Sequence, residues 1–143
     1  MTGRRVTLAG MIMRNAVILV DAIHDEILEE LVHQGGYTVS AEEKALLQQL
    51  IWVDVHINAN AVAQPAEKIA GMAGFGLPEG KSFFIGPEDG TGPEHPFSGE
   101  KMTVTMALYR ARDIDHAIEL TNRIQAYQGQ GHSCGIYSQS DAN

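Results

Sequence analysis

The chain has 143 residues, of which 44% are hydrophobic and 20% are charged, a balance typical of a soluble globular domain with a proper core. Its formal net charge of -8 repels phosphate backbones, so nucleic acid is not expected as a partner. No stretch approaches the roughly 20 apolar residues of a membrane span, and a single cysteine excludes an internal disulfide framework.

The N-terminal third predicts a strand followed by an amphipathic helix. Arg14 interrupts the first apolar run before a signal-peptide core is complete, so we expect a cytoplasmic protein. Residues 15–20, "NAVILV", form a β-branched run that predicts a strand, and Asp21 is placed to cap the helix that follows. The apolar face of this helix is predicted to consist of Ile23, Ile27, Leu28, Leu31 and Val32.

Two further helices are predicted from their end signals. Ser40 and Glu43 are spaced as a capping box, which predicts the start of a second helix. Its apolar face is expected to be Leu46, Leu47, Leu50 and Ile51. A short third helix begins with Pro65 at its first position and ends in the glycines of "GMAGFG", where a left-handed residue is favoured.

The C-terminal half predicts three strands and one helix. Strands are expected at residues 82–86, at residues 102–109 and in "SCGIYS", with a helix capped by Asp113 before the last of them. Residues 86–100 are rich in glycine and proline at their start and are expected to be exposed and irregular. Apolar strands linked by helices predict an α/β fold, with a mainly parallel sheet of about four strands and helices on both faces.

The short motifs carry little chemistry by themselves. In "GQGHSCG" the third glycine falls at position 135, and the motif lies between a helix and a strand, whereas a phosphate-binding turn lies between a strand and a helix. We interpret it as a helix C-cap and turn. Cys134 with His132 could form a thiolate and its base, but a small buried thiol beside a turn histidine is favoured.

The charged residues do not predict a metal or acid–base site. The acids of "DAIHDEILEE" are better explained as a solvated helix face than as a paired-carboxylate site. The six histidines never take a metal-ligand spacing, such as two on one helical turn with a glutamate. No metal site is therefore predicted. These histidines are His24, His33, His56, His95, His116 and His132.

Longer stretches resemble one family. "GPEHPFSGEKMTVTMALYRARDIDHAIELTNRI" and then "GQGHSCGIYSQSD" are similar to the C-terminal part of the catalytic domain of CoA-acylating aldehyde dehydrogenases, where EHPFSREKLSPVLALY precedes a DEAIELAN helix and a GHT or GHS turn. "NAVILVDAIHDEILEELVHQGGYTVSAEEKALL" and "VAQPAEKIAGMAGF" resemble the family's upstream segments. The resemblance divides the chain into a partial catalytic domain, residues 15–143, and an atypical N-terminal segment, residues 1–14.

The resemblance also implies roles for particular residues. Members of the family convert an aldehyde, CoA and NAD to an acyl-CoA and NADH. Glu100 matches the glutamate that holds the nicotinamide ribose, and Lys101 follows it as in the acylating branch, although the family has LSPV where this chain has "MTVT". Without the resemblance, Glu100 would be interpreted as an exposed loop carboxylate.

The family's nucleophile is absent from its expected place. The segment GMICASEQAVIV of the family matches "GMIMRNAVILV" here, so either Met11 or Met13 stands where the family has its cysteine. A thiolate adds to the aldehyde, and the adduct loses hydride to NAD and leaves an acyl thioester for CoA. A methionine thioether has no proton to lose and cannot do this. Cys134 matches the final turn and does not replace the nucleophile.

Three hypotheses follow for the chain. The family's nucleotide domain precedes this region, and Glu100 alone cannot hold NAD, because one charge-assisted hydrogen bond contributes about 1.5–3 kcal/mol whereas even a ~1 mM complex needs about 4 kcal/mol. We therefore expect a truncated, inactive piece of the enzyme that binds neither NAD nor CoA alone. The alternative is a non-catalytic binding or structural partner of a full-length aldehyde dehydrogenase, or a homo-oligomer. A third, an enzyme with rearranged chemistry, would use Cys134 or His132.

Overall fold

Four α-helices cover a β-sheet in the part of the chain that the structure describes. The computed structural model describes residues 8–11, 16–99, 101–128 and 135–137. None of the helices in these ranges is long and apolar enough to cross a membrane. A 3-10 turn spans Pro96–Ser98. The helices are α1 Asp21–His33, α2 Ala41–Ile51, α3 Ala66–Ala73 and α4 Ile114–Gln128.

Among the described residues, the main sheet has six strands in the order β3-β6-β7-β2-β1-β8. Its members are β1 Leu8–Met11, β2 Ala16–Val20, β3 Gly36–Thr38, β6 Phe83–Pro87, β7 Thr105–Ala111 and β8 Gly135–Tyr137. The four neighbours β3, β6, β7 and β2 run parallel. This arrangement confirms the predicted α/β class and its mainly parallel sheet of about four strands. β1 is antiparallel to both β2 and β8.

The predicted strands are all present, but the described residues contain four others that the sequence patterns did not predict. β7 begins at Thr105, three residues later than predicted. β1 and β3 were not predicted, nor was the separate hairpin of β4 Trp52–Val53 and β5 His56–Ile57. These missed strands have two to four residues each, too few to show a periodic pattern.

Both faces of the parallel sheet are covered, as the apolar strands predict. On one face, α1 packs its apolar residues against Leu19, Ile85 and Leu108. On the other face, Phe84 and Tyr109 belong to a larger core shared with the remaining three helices. The helix residues buried in that core include Leu47, Ile51, Ile69, Ala70, Ala117, Leu120 and Ile124.

Three of the predicted helix caps are confirmed. The Ser40 hydroxyl accepts from the Glu43 amide at 3.1 Å, and the Glu43 carboxylate accepts from the Ser40 amide at 2.9 Å, which completes a capping box. The Asp113 carboxylate accepts from the His116 amide at 2.8 Å ahead of α4. Gly74 ends α3 with a φ of +100°, the left-handed C-cap that the glycines predicted.

Two predicted helix starts are wrong by one residue. Asp21 is the first residue of α1, and the N-cap is Val20, which makes no side-chain cap hydrogen bond. The reason is that β2 runs directly into α1, and the Asp21 carboxylate instead contacts the Arg110 guanidinium at the end of β7. Pro65 is the N-cap of α3 and not its first helical residue.

Candidate functional site

The segment between β6 and β7, residues 88–104, folds inward and forms the candidate site. We name it the β6–β7 loop. Residues 86–100 were predicted to be exposed from their glycine and proline content, and this prediction is wrong for Glu88, Phe97 and Ser98, which are buried. Lys101, just beyond that range, is buried as well. Turn-forming residues disfavour α-helices and strands here, but they do not exclude burial when side chains supply the hydrogen bonds.

Glu88 is a buried carboxylate with four hydrogen-bond donors around it. Its side chain is only 2% exposed. One oxygen accepts from Lys44 Nζ at 2.9 Å, and the other lies 3.0 Å from His95 Nδ1 and accepts from the amides of Asp89 and Gly90 at 3.0 and 3.1 Å. Burial opposes ionisation, but the bonds from Lys44 and the two amides outweigh it, so the pKa of Glu88 lies below its ordinary value.

Lys44 connects α2 to this loop. Besides Glu88, its ammonium donates to the Pro87 carbonyl at 2.6 Å and lies 5.2 Å from the centroid of the Phe97 ring, within the range of a cation–π contact. One lysine side chain therefore holds the end of β6, the buried carboxylate and the aromatic ring of the 3-10 turn together.

Phe97 is the apolar anchor of the loop. Its ring is fully buried and lies 5.6 Å, centroid to centroid, from Trp52. A Cβ atom at Gly86 would lie 2.6 Å from the Phe97 ring, so only glycine permits this close approach. Nearer the start of the loop, the Tyr109 hydroxyl donates to the Gly90 carbonyl at 2.7 Å. The loop is thus packed from both the α2 side and the β7 side.

Lys101 is buried with 1% of its surface exposed. Its ammonium donates to the Phe97 carbonyl at 2.6 Å and to the Gly99 carbonyl at 3.0 Å. The next residue, Met102, has a φ of +48°, and its carbonyl accepts from the Ala63 amide at 3.1 Å. Glu100, the predicted ribose-binding residue, lies outside the described residues, although both of its neighbours are described.

Most of the other predicted site residues also lie outside the described ranges. These are Met13, Gly129, Gly131, His132 and Cys134. Met11 is the last residue of β1 and is paired with Ala16 of β2.

The structure brings together a group that the sequence did not indicate. Within the described residues, Glu88, Asp89 and His95 place one possible metal-ligand atom each within 4.8 Å of one another. The Lys44 ammonium is already bound to Glu88 at 2.9 Å, and its positive charge opposes a cation there. The available sequence signal was the position of Glu88 directly after a parallel strand, where functional residues often lie. No signal pointed to Lys44 or His95.

The described residues do not fit the phosphate end of a dinucleotide. Pyrophosphate binds at a helix N-terminus that follows a strand, where amides and the helix dipole attract an anion. Here α1, α2 and α4 follow strands, but each start carries an acid of the chain itself: Asp21, Glu43 and Asp113, respectively. A carboxylate at position 100 suits only the ribose end, because it can accept from two hydroxyls.

No family model matches the chain. Comparisons with individual known proteins find aldehyde dehydrogenases in both sequence and structure. The chain is 36% identical over 126 residues to the bifunctional aldehyde-alcohol dehydrogenase of Escherichia coli (strain K12). The aligned region covers 88% of this chain and 14% of that protein. The chain is also 36% identical over 126 residues to the acylating sulfoacetaldehyde dehydrogenase of Cupriavidus necator. That aligned region covers 87% of this chain and 26% of that protein.

A solved structure shares the fold as well. An acetylating aldehyde dehydrogenase from Geobacillus thermoglucosidasius matches with a TM-score of 0.86 and 30% identity, over 90% of this chain and 28% of that chain. The 143-residue chain therefore spans between 14% and 28% of the length of these three relatives.

Proposed function

The chain belongs to the acylating aldehyde dehydrogenase family, and we propose that it provides part of the catalytic domain of an enzyme that converts an aldehyde, CoA and NAD to an acyl-CoA and NADH. The observation that supports this most is the agreement of sequence and fold over the same region, with 36% identity over 126 residues and a TM-score of 0.86 over 90% of the chain. We assign residues 15–143 to this domain. Residues 1–14 are the atypical segment, of which Leu8–Met11 joins the sheet as β1.

We also propose that the 143-residue chain does not turn over aldehyde by itself. The support is chemical: Met11 or Met13 stands where the family has its cysteine, and a thioether cannot form the hemithioacetal from which hydride leaves. Removing the nucleophile from a covalent mechanism costs on the order of 10⁶ in turnover in a serine protease. The carboxylates at the helix N-termini further oppose binding of NAD by the described residues.

The test uses the acyl-transfer half of the reaction, which needs no NAD. A cysteine thiolate at the nucleophile position attacks the thioester carbonyl of propionyl-CoA, the sulfur–carbon bond to the protein forms, and the CoA thiolate leaves. We would incubate the chain and its Met11→Cys and Met13→Cys variants with propionyl-CoA and measure the protein mass. All samples carry Cys134→Ser, so that the natural cysteine adds no background.

The expected result is a propionyl adduct on one of the two variants and none on the parent chain. The position that reacts then identifies the family's nucleophile position in this sequence. Adducts on neither variant, at a propionyl-CoA concentration that acylates a free cysteine peptide without any bound complex, would contradict the assignment of this segment. NADH formation from propionaldehyde, CoA and NAD by the unaltered chain would contradict the proposed inactivity. Co-purification with a full-length aldehyde dehydrogenase would instead favour a role as its partner.

A further inference from the structure

Glu88 and His95 form a carboxylate–imidazole pair in the β6–β7 loop. His95 Nδ1 lies 3.0 Å from one Glu88 oxygen. That carboxylate is only 2% exposed, accepts from three other donors and has a pKa below its ordinary value. It is therefore ionised at neutral pH and has no proton to donate. The contact requires the proton on His95 Nδ1, so the neutral ring carries its lone pair on Nε2.

The imidazole ring is held in one orientation. A Cβ atom at Gly90 would lie 2.3, 2.4 and 2.4 Å from Nε2, Cδ2 and Cε1 of His95. Because these three distances are nearly equal, that position lies over the face of the ring and not in line with Nε2. The ring thus lies flat on the Gly90 backbone, which leaves the lone pair in the ring plane clear of that glycine. The His95 amide also donates to the Gly92 carbonyl at 2.9 Å, and its carbonyl accepts from the Ser98 hydroxyl at 2.7 Å.

Nε2 of His95 is accessible from solvent. The side chain is 39% exposed, and within the described ranges only Nδ1 of this ring makes a hydrogen bond. Two other described histidines differ from it. His116 Nδ1 accepts from the Arg112 amide at 3.1 Å, which places the proton on Nε2 and leaves no lone pair there. His24 contacts Asp25, whose side chain is 83% exposed, and is itself only 13% exposed. Of these three, His95 alone combines a buried anionic partner with an accessible Nε2.

We propose that Nε2 of His95 is a covalent modification site for small α,β-unsaturated carbonyl compounds, such as unsaturated aldehydes. The lone pair attacks the β-carbon, the nitrogen–carbon bond forms as the carbon–carbon double bond opens, and water gives a proton to the α-carbon. The ring then carries a positive charge, which the Glu88 carboxylate stabilises, as a carboxylate stabilises the imidazolium of a catalytic triad. The hydroxide left by the water takes the Nδ1 proton, so the sum is an addition without oxidant or leaving group.

The test treats the full 143-residue chain with crotonaldehyde, fixes the adducts with borohydride and locates them by peptide mapping. All samples carry Cys134→Ser, so that the thiol does not consume the reagent. His95→Asn keeps a side-chain N–H for the carboxylate and removes Nε2, whereas Glu88→Gln removes the charge. Glu79→Gln, at an exposed turn position, is the matched control for the loss of one negative charge. His116 in the same digest is the internal reference.

We expect the His95 adduct to form about 5-fold or more faster than the His116 adduct. It should slow by about 5-fold or more in Glu88→Gln and not in Glu79→Gln, because a hydrogen bond to an ionised acceptor is roughly twice as strong as a neutral one. Equal rates at His95 and His116, or an unchanged rate in Glu88→Gln, would overturn the proposal. An adduct that stays on the same peptide in His95→Asn would also overturn it.

A second measurement reads the tautomer without any reagent. In a chain labelled with nitrogen-15 in histidine, at mildly alkaline pH, His95 should show a protonated Nδ1 and an unprotonated Nε2, and His116 the reverse. His95→Asn and His116→Gln assign the signals. A protonated Nε2 on His95 would overturn the proposal. This measurement is made on the parent chain, so it is decisive even where Glu88→Gln does not fold. Neither readout uses NAD, CoA or the cysteine position, so a failure of the proposed function would not alter them.

Discussion

The bond between Lys44 and Glu88 offers the sharpest test of the structure. Lys44→Met would remove the ammonium and leave the Glu88 carboxylate, 2% exposed, with His95 and two backbone amides as its remaining donors. Removing one partner of a buried ion pair typically costs about 3–5 kcal/mol, because the other charge stays buried without compensation.

The expected loss is smaller here, for two structural reasons. The Lys44 side chain is 20% exposed, so water reaches one end of the pair. The three donors that remain on Glu88 also satisfy part of its hydrogen-bonding capacity. We therefore expect Lys44→Met to lower the free energy of unfolding by about 2–3 kcal/mol. In the double variant Lys44→Met with Glu88→Gln, the loss should be smaller than the sum of the single losses, since no unpaired charge remains.

Urea unfolding provides the measurement, followed by the fluorescence of the one tryptophan of the chain and by circular dichroism. Trp52 is a suitable probe because it lies 5.6 Å from Phe97, next to the network. Lys68→Met is the matched control and should change stability by no more than about 0.5 kcal/mol. If Lys44→Met and Lys68→Met are equally stable, the bond to Glu88 does not stabilise the fold and our reasoning is refuted.

Three further changes test other features. Val55→Gly should raise the free energy of unfolding by about 0.5–1 kcal/mol. Val55 is a β-branched residue with a φ of +62° at a hairpin tip, and the backbone strain that glycine would relieve exceeds the conformational entropy that glycine would lose on folding. A lower urea midpoint would contradict this. Ser40→Ala should cost about 1 kcal/mol by removing the cap of α2, and an unchanged midpoint would show that the capping box is not stabilising. The pKa of Glu88 is lowered on folding, so its stabilisation is complete above its unfolded value of about 4.3 and is lost as the pH falls through the lower folded value. The parent chain should therefore lose more stability than Glu88→Gln between about pH 7 and pH 3, whereas parallel pH profiles would contradict the lowered pKa.

The sequence alone was sufficient to predict the features that depend on residues close together along the chain. The capping box links Ser40 to Glu43, three positions later. The Asp113 carboxylate likewise accepts from the amide of His116, three positions later. Any helix that begins there makes these bonds, whatever surrounds it. The continuous apolar strands likewise indicated a parallel sheet covered on both faces. Strands buried on both sides carry apolar residues at every position, because a polar side chain on either face would be removed from water. The family could be identified because long stretches of sequence match in order.

The arrangement of the candidate site depends on long-range contacts that the fold creates. Lys44 and Glu88 are 44 positions apart. They meet because β3, which precedes α2, lies beside β6, which ends just before Glu88. Strand order is not encoded by local periodicity, because the same apolar pattern suits any central position in a parallel sheet. The burial of Lys101 was equally hidden, since a lysine in a loop is ordinarily solvated and only the fold brings carbonyls to it. Short-range geometry thus follows from the chain itself, whereas the long-range contacts of charged groups depend on which elements become neighbours.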